Sequence, residues 1–188
     1  NSFPEAKREI LFLLFTSRHL RLIFVLLQKR CIMSQKKLYT VKQALDYAKQ
    51  YCAKQEHCQS EVRDKLRSYS VTEDEIDICL AELICEGFIN EQRYADLFVP
   101  SKLHQNQWGR IKIAVHLRAK DISEVCIKKA LAKIDSDEYM DTLHKVCDKK
   151  LRTLSGNNLS KKQKLISFLA SKGFEFDCID IVLKEVGL

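Results

Sequence analysis

The apolar positions of this chain follow one pattern three times over. Val62, Leu66, Val71, Ile76, Leu80 and Leu83 are matched by Ile113, Leu117, Ile122, Ile127, Leu131 and Ile134 at a constant offset of 51 residues. Leu165, Leu169, Phe174, Ile179, Leu183 and Val186 match the second set at an offset of 52. Within each set the spacing is that of two amphipathic helices with a break between them. The break repeats as well. Ser70, Asp121 and Gly173 stand just past the first helix of each pair, each followed by an apolar residue. A left-handed stop is expected there, with Val71, Ile122 and Phe174 folding back onto Leu66, Leu117 and Leu169. Thr72, Ser123 and Glu175 then begin the next helix.

A further helix precedes each pair, over roughly 41–54, 91–103 and 137–152. Its inward candidates are Ala44, Tyr47 and Ala48; Tyr94, Phe98 and Val99; Tyr139, Leu143 and Val146. Thr40-x-x-Gln43, Thr72-x-x-Glu75 and Ser160-x-x-Gln163 fit the capping box, and Ser60 and Asn90 are N-cap candidates. The chain is therefore read as all-α, with three tandem three-helix, helix-turn-helix-like repeats in an elongated curved arrangement. Repeat 1 covers residues 40–89, repeat 2 covers 90–135 and repeat 3 covers 136–188. The repeat core is expected at Val62, Leu66, Ile113, Leu117, Leu165 and Leu169. One trio alone is small, so neighbouring repeats should share apolar surface.

Five glycines and two prolines in 188 residues agree with this reading, since a turn-rich β fold would need more. Residues 1–39 stand outside the pattern. The apolar runs Ile10–Phe15 and Leu20–Leu27 are interrupted by Arg18, His19 and Arg21, and fall short of the roughly 20 residues that span a bilayer. This segment is expected to be a non-native or weakly ordered extension, with Met33 as the native start; an amphipathic membrane-surface helix is the rival reading.

The net charge of +7 includes +4 from residues 1–32, so the basicity of the rest is local. From Leu97 to Lys120 there are five cations, Lys102, Arg110, Lys112, Arg118 and Lys120, and no acidic residue. Trp108, the only tryptophan, lies among them. A second cluster holds Lys149, Lys150, Lys161, Lys162 and Lys164. Read singly, each charge is a solvated helix face; summed, the clusters attract a polyanion. Trp108 either closes the loop between the first two helices of repeat 2 or stacks on a base. Arg93 is read as a lock between repeats, beside Tyr94 and Glu91.

Eight cysteines occur without a C-x-x-C pair. The nearest ligand-like groupings are Cys52 with His57 and Cys58, and His144-x-x-Cys147. Structural zinc needs two close pairs, so neither a metal nor any other cofactor is expected. Reduced cysteines in helical patterns act as small apolar residues and fit a reducing cytoplasm. No nucleophile, paired-carboxylate or phosphate-loop motif suggests an enzyme; Asp74 and Asp77 read as acids of a helix's first turn.

Three stretches resemble the RecX family, the bacterial regulators of the RecA recombinase. His57-Cys58-Gln59-Ser60-Glu61-Val62-Arg63-Asp64-Lys65-Leu66 is similar to its first-repeat signature, with His57 where Arg is usual. Gly87-Phe88-Ile89-Asn90-Glu91-Gln92-Arg93-Tyr94-Ala95 resembles its most distinctive segment. Gly109-Arg110-Ile111-Lys112-Ile113 onward to Ile122 resembles the second repeat, with Asp121 where the family prefers Gly. The resemblance covers about 41–183. It implies a monomeric, cytoplasmic, non-catalytic regulator seated in the groove of the RecA–single-stranded-DNA filament. There it would restrain ATP hydrolysis, strand exchange and co-protease activity, touching single-stranded DNA indirectly or weakly. The alternative is an autonomous helical-repeat DNA-binding protein of helix-turn-helix type.

Overall fold

A computed structural model describes residues 39–188. The expectations placed on residues 1–38 lie outside the described residues. Among the described residues there are nine helices and no strand. Repeat 1 holds α1 (Val41–Cys52), α2 (Gln59–Arg67) and α3 (Glu73–Cys85). Repeat 2 holds α4 (Glu91–Asn106), α5 (Arg110–Arg118) and α6 (Glu124–Leu131). Repeat 3 holds α7 (Ser136–Leu151), α8 (Asn158–Lys172) and α9 (Phe176–Glu185).

Local chemistry explains most of the boundaries. Thr40 and Thr72 form complete capping boxes with Gln43 and Glu75. Asn90 accepts a hydrogen bond from the Arg93 N–H at 2.9 Å. The three helix stops are left-handed, with φ of 61° at Ser70, 60° at Asp121 and 88° at Gly173. In repeats 2 and 3 the stop closes as a Schellman turn. The Ile122 N–H bonds the Leu117 carbonyl at 3.2 Å, and the Phe174 N–H bonds the Leu169 carbonyl at 3.3 Å.

Several local expectations are corrected. Ser60 is not an N-cap: Cys58 is, and Ser60 sits in the first turn, its hydroxyl donating to the Lys120 carbonyl at 3.2 Å. Ser160 is not the start of a capping box either. Asn157 caps α8 by accepting from the Ser160 N–H, because the helix begins three residues earlier than the motif suggests. Tyr47 is exposed; the buried line of α1 runs through Ala44, Ala48 and Cys52 at a strict four-residue spacing. Tyr47 lies beside that line and packs edge-on against Tyr39, with ring centroids 5.3 Å apart. α4 runs on to Asn106 and is stopped by Gln107, which adopts a left-handed φ of 55°.

The repeat core is as expected: Val62, Leu66, Ile113, Leu117, Leu165 and Leu169 are all fully buried. The cores are not shared evenly. Repeat 1 gathers Ala44, Ala48, Val62, Leu66, Ile76 and Leu83 around its own centre. Repeats 2 and 3 form one continuous core from Tyr94 to Leu183, which Cys58 joins from repeat 1.

The contact that joins repeats 2 and 3 is made by backbone. The N-terminus of α5 meets the C-terminus of α8, so each helix caps the other. The Gly109 N–H bonds the Lys172 carbonyl at 2.9 Å, and the Ile111 N–H bonds the Gly173 carbonyl at 3.1 Å. The Arg110 N–H bonds the Tyr139 hydroxyl at 3.1 Å. Donors and acceptors that helix ends leave orphaned are thus paired across the joint, with the two helix dipoles head to tail. Only glycine allows this approach. A Cβ on Gly109 would overlap the Gly173 carbonyl, and a Cβ on Gly173 would overlap Lys112.

Gly109→Ala therefore tests the joint. Its φ of −77° suits any residue, so the whole penalty is crowding. Gly87→Ala is the control, with φ of 75° and open space around it, and should cost about 1–2 kcal/mol from conformation alone. Urea unfolding followed by Trp108 fluorescence should give a lower midpoint for Gly109→Ala than for Gly87→Ala. An unchanged midpoint for Gly109→Ala would contradict the close approach.

Candidate nucleic-acid and partner interface

The cations singled out in repeat 2 lack anions only along the chain. In space, other segments supply three. Arg118 forms a two-pronged pair with Glu124 across the α5–α6 turn, one branch at 3.1 Å. Lys120 Nζ lies 2.5 Å from Glu61 Oε1 of repeat 1. Arg110 lies 3.6 Å from Glu175 of repeat 3 and stacks its guanidinium 3.9 Å from the Tyr139 ring centroid. The expectation of a field without a nearby anion is therefore corrected. An acid-free stretch of sequence does not prevent a carboxylate 59 or 65 residues away, Glu61 from Lys120 or Glu175 from Arg110, from folding against it.

Glu61 is the hub of the joint between repeats 1 and 2. Besides Lys120, it accepts from the Tyr94 hydroxyl at 3.0 Å and faces His57 Nδ1 at 2.9 Å. His57 is itself buried and stacked on Tyr51, with ring centroids 3.8 Å apart. Partial burial pushes the Glu61 carboxyl up, but the hydrogen bonds from Lys120, His57 and Tyr94 outweigh it and hold the group below its ordinary range. Burial likewise lowers the Lys120 ammonium, and the Glu61 contact more than reverses that. Burial first, then Glu61, pushes the Tyr94 phenol upward. Around this hub Arg93 grips Glu56 at 2.8 Å and the Gly87 carbonyl at 2.8 Å. Arg93 is thus a lock between repeats, with Glu56 rather than Glu91 as its partner. Glu91 instead accepts from Gln59 at 3.1 Å and from the Ser123 N–H at 3.3 Å.

The other candidates lie among aromatic rings. Lys102 Nζ stands 5.1 Å from the Phe98 ring centroid and 5.8 Å from Trp108. Lys112 Nζ stands 5.2 Å from the Trp108 ring centroid. Trp108 is half-buried, stacked on His116 at 4.3 Å and packed against the shared core, so it closes the α4–α5 loop while remaining partly accessible. In repeat 3, Lys150 Nζ lies 4.9 Å from Phe168. Lys150, Lys164, Gln163, Ser167, Leu154 and Phe168 line an open cleft of about 380 Å³. Lys149 is exposed; Lys161 and Lys162 are half-exposed, and Lys162 lies beside Asp180. Ion pairs among the described residues include none for Lys102, Lys112, Lys149, Lys150, Lys161 or Lys164. Sequence reasoning missed Phe168 and Lys172, whose Nζ lies 6.0 Å from the Phe168 centroid. Their spacing signals only a helix, and the Lys150 that joins them comes from α7.

No group of three or more His, Cys, Asp or Glu side chains is placed to hold a metal ion among the described residues. The seven described cysteines are free thiols. No helix of the described residues is long and apolar enough to cross a membrane.

Three trios of helices joined end to end, with cations and rings on their surface, define a tandem tri-helical repeat protein. Comparison with known proteins narrows that class. Family models described as the first, second and third three-helix domains of RecX match residues 44–83, 90–131 and 137–183. The regulatory protein RecX of Chlorobium phaeobacteroides is 32% identical over 146 residues, covering 77% of this chain and 94% of that protein. The RecX of Clostridium perfringens is 31% identical over 131 residues. This chain spans 61% of that relative's length. The crystal structure of RecX from Lactobacillus salivarius superposes with a TM-score of 0.69 at 27% identity, covering 77% of this chain and 95% of that one. The chain belongs to the RecX family of regulatory proteins.

The Glu61 hub makes the first joint sensitive to acid. A carboxyl held below its unfolded-state pKa contributes stability above that value, about 4.3, and loses it as pH falls through the folded-state value. Unfolding free energy should therefore fall between about pH 5 and pH 3, and Glu61→Gln should flatten part of that fall. Parallel curves for the two proteins would contradict the role given to Glu61.

Proposed function

We propose that this protein is a cytoplasmic, monomeric regulator that binds the RecA–single-stranded-DNA filament and restrains its ATPase, strand-exchange and co-protease activities. It acts by binding, with no catalysis of its own. The observation that carries this reading is a set of three RecX domains in which Lys102, Lys112, Lys149, Lys150, Lys161 and Lys164 of repeats 2 and 3 make no ion pair among the described residues. A filament presents phosphates and acidic protein surface, and unpaired cations are drawn to both. Lys102, Lys112, Lys149, Lys150, Lys161, Lys162 and Lys164 are the contact residues in this reading, with Trp108 among them. Arg110, Arg118 and Lys120 already hold Glu175, Glu124 and Glu61, and so contribute to the field while shaping the surface.

The test is RecA's DNA-dependent ATPase titrated with this protein. Inhibition is expected. Lys149→Ala/Lys161→Ala/Lys164→Ala should need about tenfold more protein for half-inhibition, at roughly 0.5 kcal/mol per exposed charge. Its thermal midpoint should match the parent's, because none of the three makes an internal ion pair among the described residues. Absence of inhibition by the wild-type protein would overturn the reading.

A further inference from the structure

The third helices of repeats 1 and 2 carry opposite charge at matching places. On α3 the residues Asp74, Asp77, Ile78, Ala81 and Glu82 are exposed and follow the spacing of one helix face. At the repeat offset of 51 they correspond to Val125, Lys128, Lys129, Ala132 and Lys133, on α6 and just past its end. These five are exposed too. Asp77 and Glu82 thus become lysines, and a third lysine stands where Ile78 does. The contrast extends to the whole units. Residues 40–89 hold ten acids and six cations, whereas residues 90–135 hold five acids and nine cations. α3 itself has five acids and no cation.

Both faces have binding capacity that the fold leaves unused. Asp74, Lys128 and Lys129 make no ion pair among the described residues. Lys128 lies near Glu124, but Arg118 already holds that carboxylate. Asp77, Glu82 and Lys133 have partners in Arg63, Lys49 and Asp96, and their side chains still face water. Each face also bears a β-branched side chain open to solvent, Ile78 on α3 and Val125 on α6, both 62% exposed. The matching face of α9 is weaker, because Lys184 holds Asp180 and His144 meets Glu185.

We propose that α3 of one copy of this chain docks on α6 of a second copy. Antiparallel packing sets the acidic first turn of α3 against Lys129 and Lys133 at the end of α6, and takes Ile78 and Val125 out of water. A foreign basic segment would satisfy α3 and leave α6 unmatched; a second copy satisfies both. The contact joins unlike faces. It closes into a pair if the two faces share a side of the molecule, and otherwise runs from copy to copy. Exposed ion pairs contribute little apiece, so the contact is weak and the dilute protein remains the monomer proposed above. The inference does not rest on the filament reading, because neither face holds a residue assigned to that contact.

Sedimentation equilibrium of the full chain, freed of nucleic acid so that strands cannot bridge copies, is the test. The average mass should rise above that of one chain as concentration increases at about 0.1 M salt. Association should weaken about tenfold by about 1 M salt, as the screening length falls from about 10 Å to about 3 Å. Lys128→Glu/Lys129→Glu and Asp74→Lys/Ile78→Lys should each sediment as single chains. Their urea midpoints should stay close to the parent's, because all four side chains are exposed. Mixed together, the two variants should associate again, since one keeps an intact α3 and the other an intact α6. The proposal is overturned if the parent stays a single chain throughout, if its association ignores salt, if either variant associates like the parent, or if the mixture stays apart. An amphipathic lysine–leucine peptide that binds the parent, but not Asp74→Lys/Ile78→Lys, while the copies stay apart would assign α3 to a foreign basic partner and overturn it as well.

Discussion

Gly109 and Gly173 let two helix ends touch, and much of repeats 2 and 3 depends on that contact. An α-helix leaves donors bare at its start and acceptors bare at its end. Here the bare donors of α5 meet the bare acceptors of α8, with Tyr139 receiving the Arg110 N–H between them. Side chains thicker than hydrogen would hold the helices apart and leave those groups unpaired. Because the ends meet, the cores of the two repeats run together into one cluster. The same approach sets Lys112 beside Ser171 and brings the rings of Trp108 and Phe168 into one series of cations.

The first joint solves the same problem with side chains. Cys58 stands where Gly109 stands in the next repeat, and the Ser60 hydroxyl reaches the Lys120 carbonyl in place of a backbone N–H. Glu61, Tyr94, His57 and Lys120 fill the space that the closer second joint lacks. Repeat 1 accordingly keeps a core of its own and meets repeat 2 largely through polar contacts. Such a joint responds to pH and ionic strength more than a backbone joint does.

The repeat architecture was legible because it rests on spacing. Eighteen apolar positions hold one register, and the left-handed stops at Ser70, Asp121 and Gly173 follow from one backbone requirement. The RecX segments around Arg93 and Gly109 were equally readable as local strings. The candidate surface was legible only as a list of cations. Which cations are neutralised depends on Glu61, Glu124 and Glu175, and two of these come from another repeat. The Phe168 cleft was hidden because Lys150 and Leu154 reach the ring from outside α8. The misplaced caps at Ser60 and Ser160 share a cause: a cap-forming residue read locally competes with Cys58 packing into the core and with Asn157 upstream.

Native-state hydrogen exchange read at the Gly109 and Ile111 amides tests the backbone joint most directly. In sequence these amides lie at the start of a short helix, where exchange is ordinarily fast. If repeats 2 and 3 are one cooperative body, both should exchange with an opening free energy within about 1 kcal/mol of that for Leu165 and Leu169 in the core of α8. Exchange of Gly109 and Ile111 at loop rates, while Leu165 and Leu169 stay protected, would show that the joint opens freely and would contradict the account.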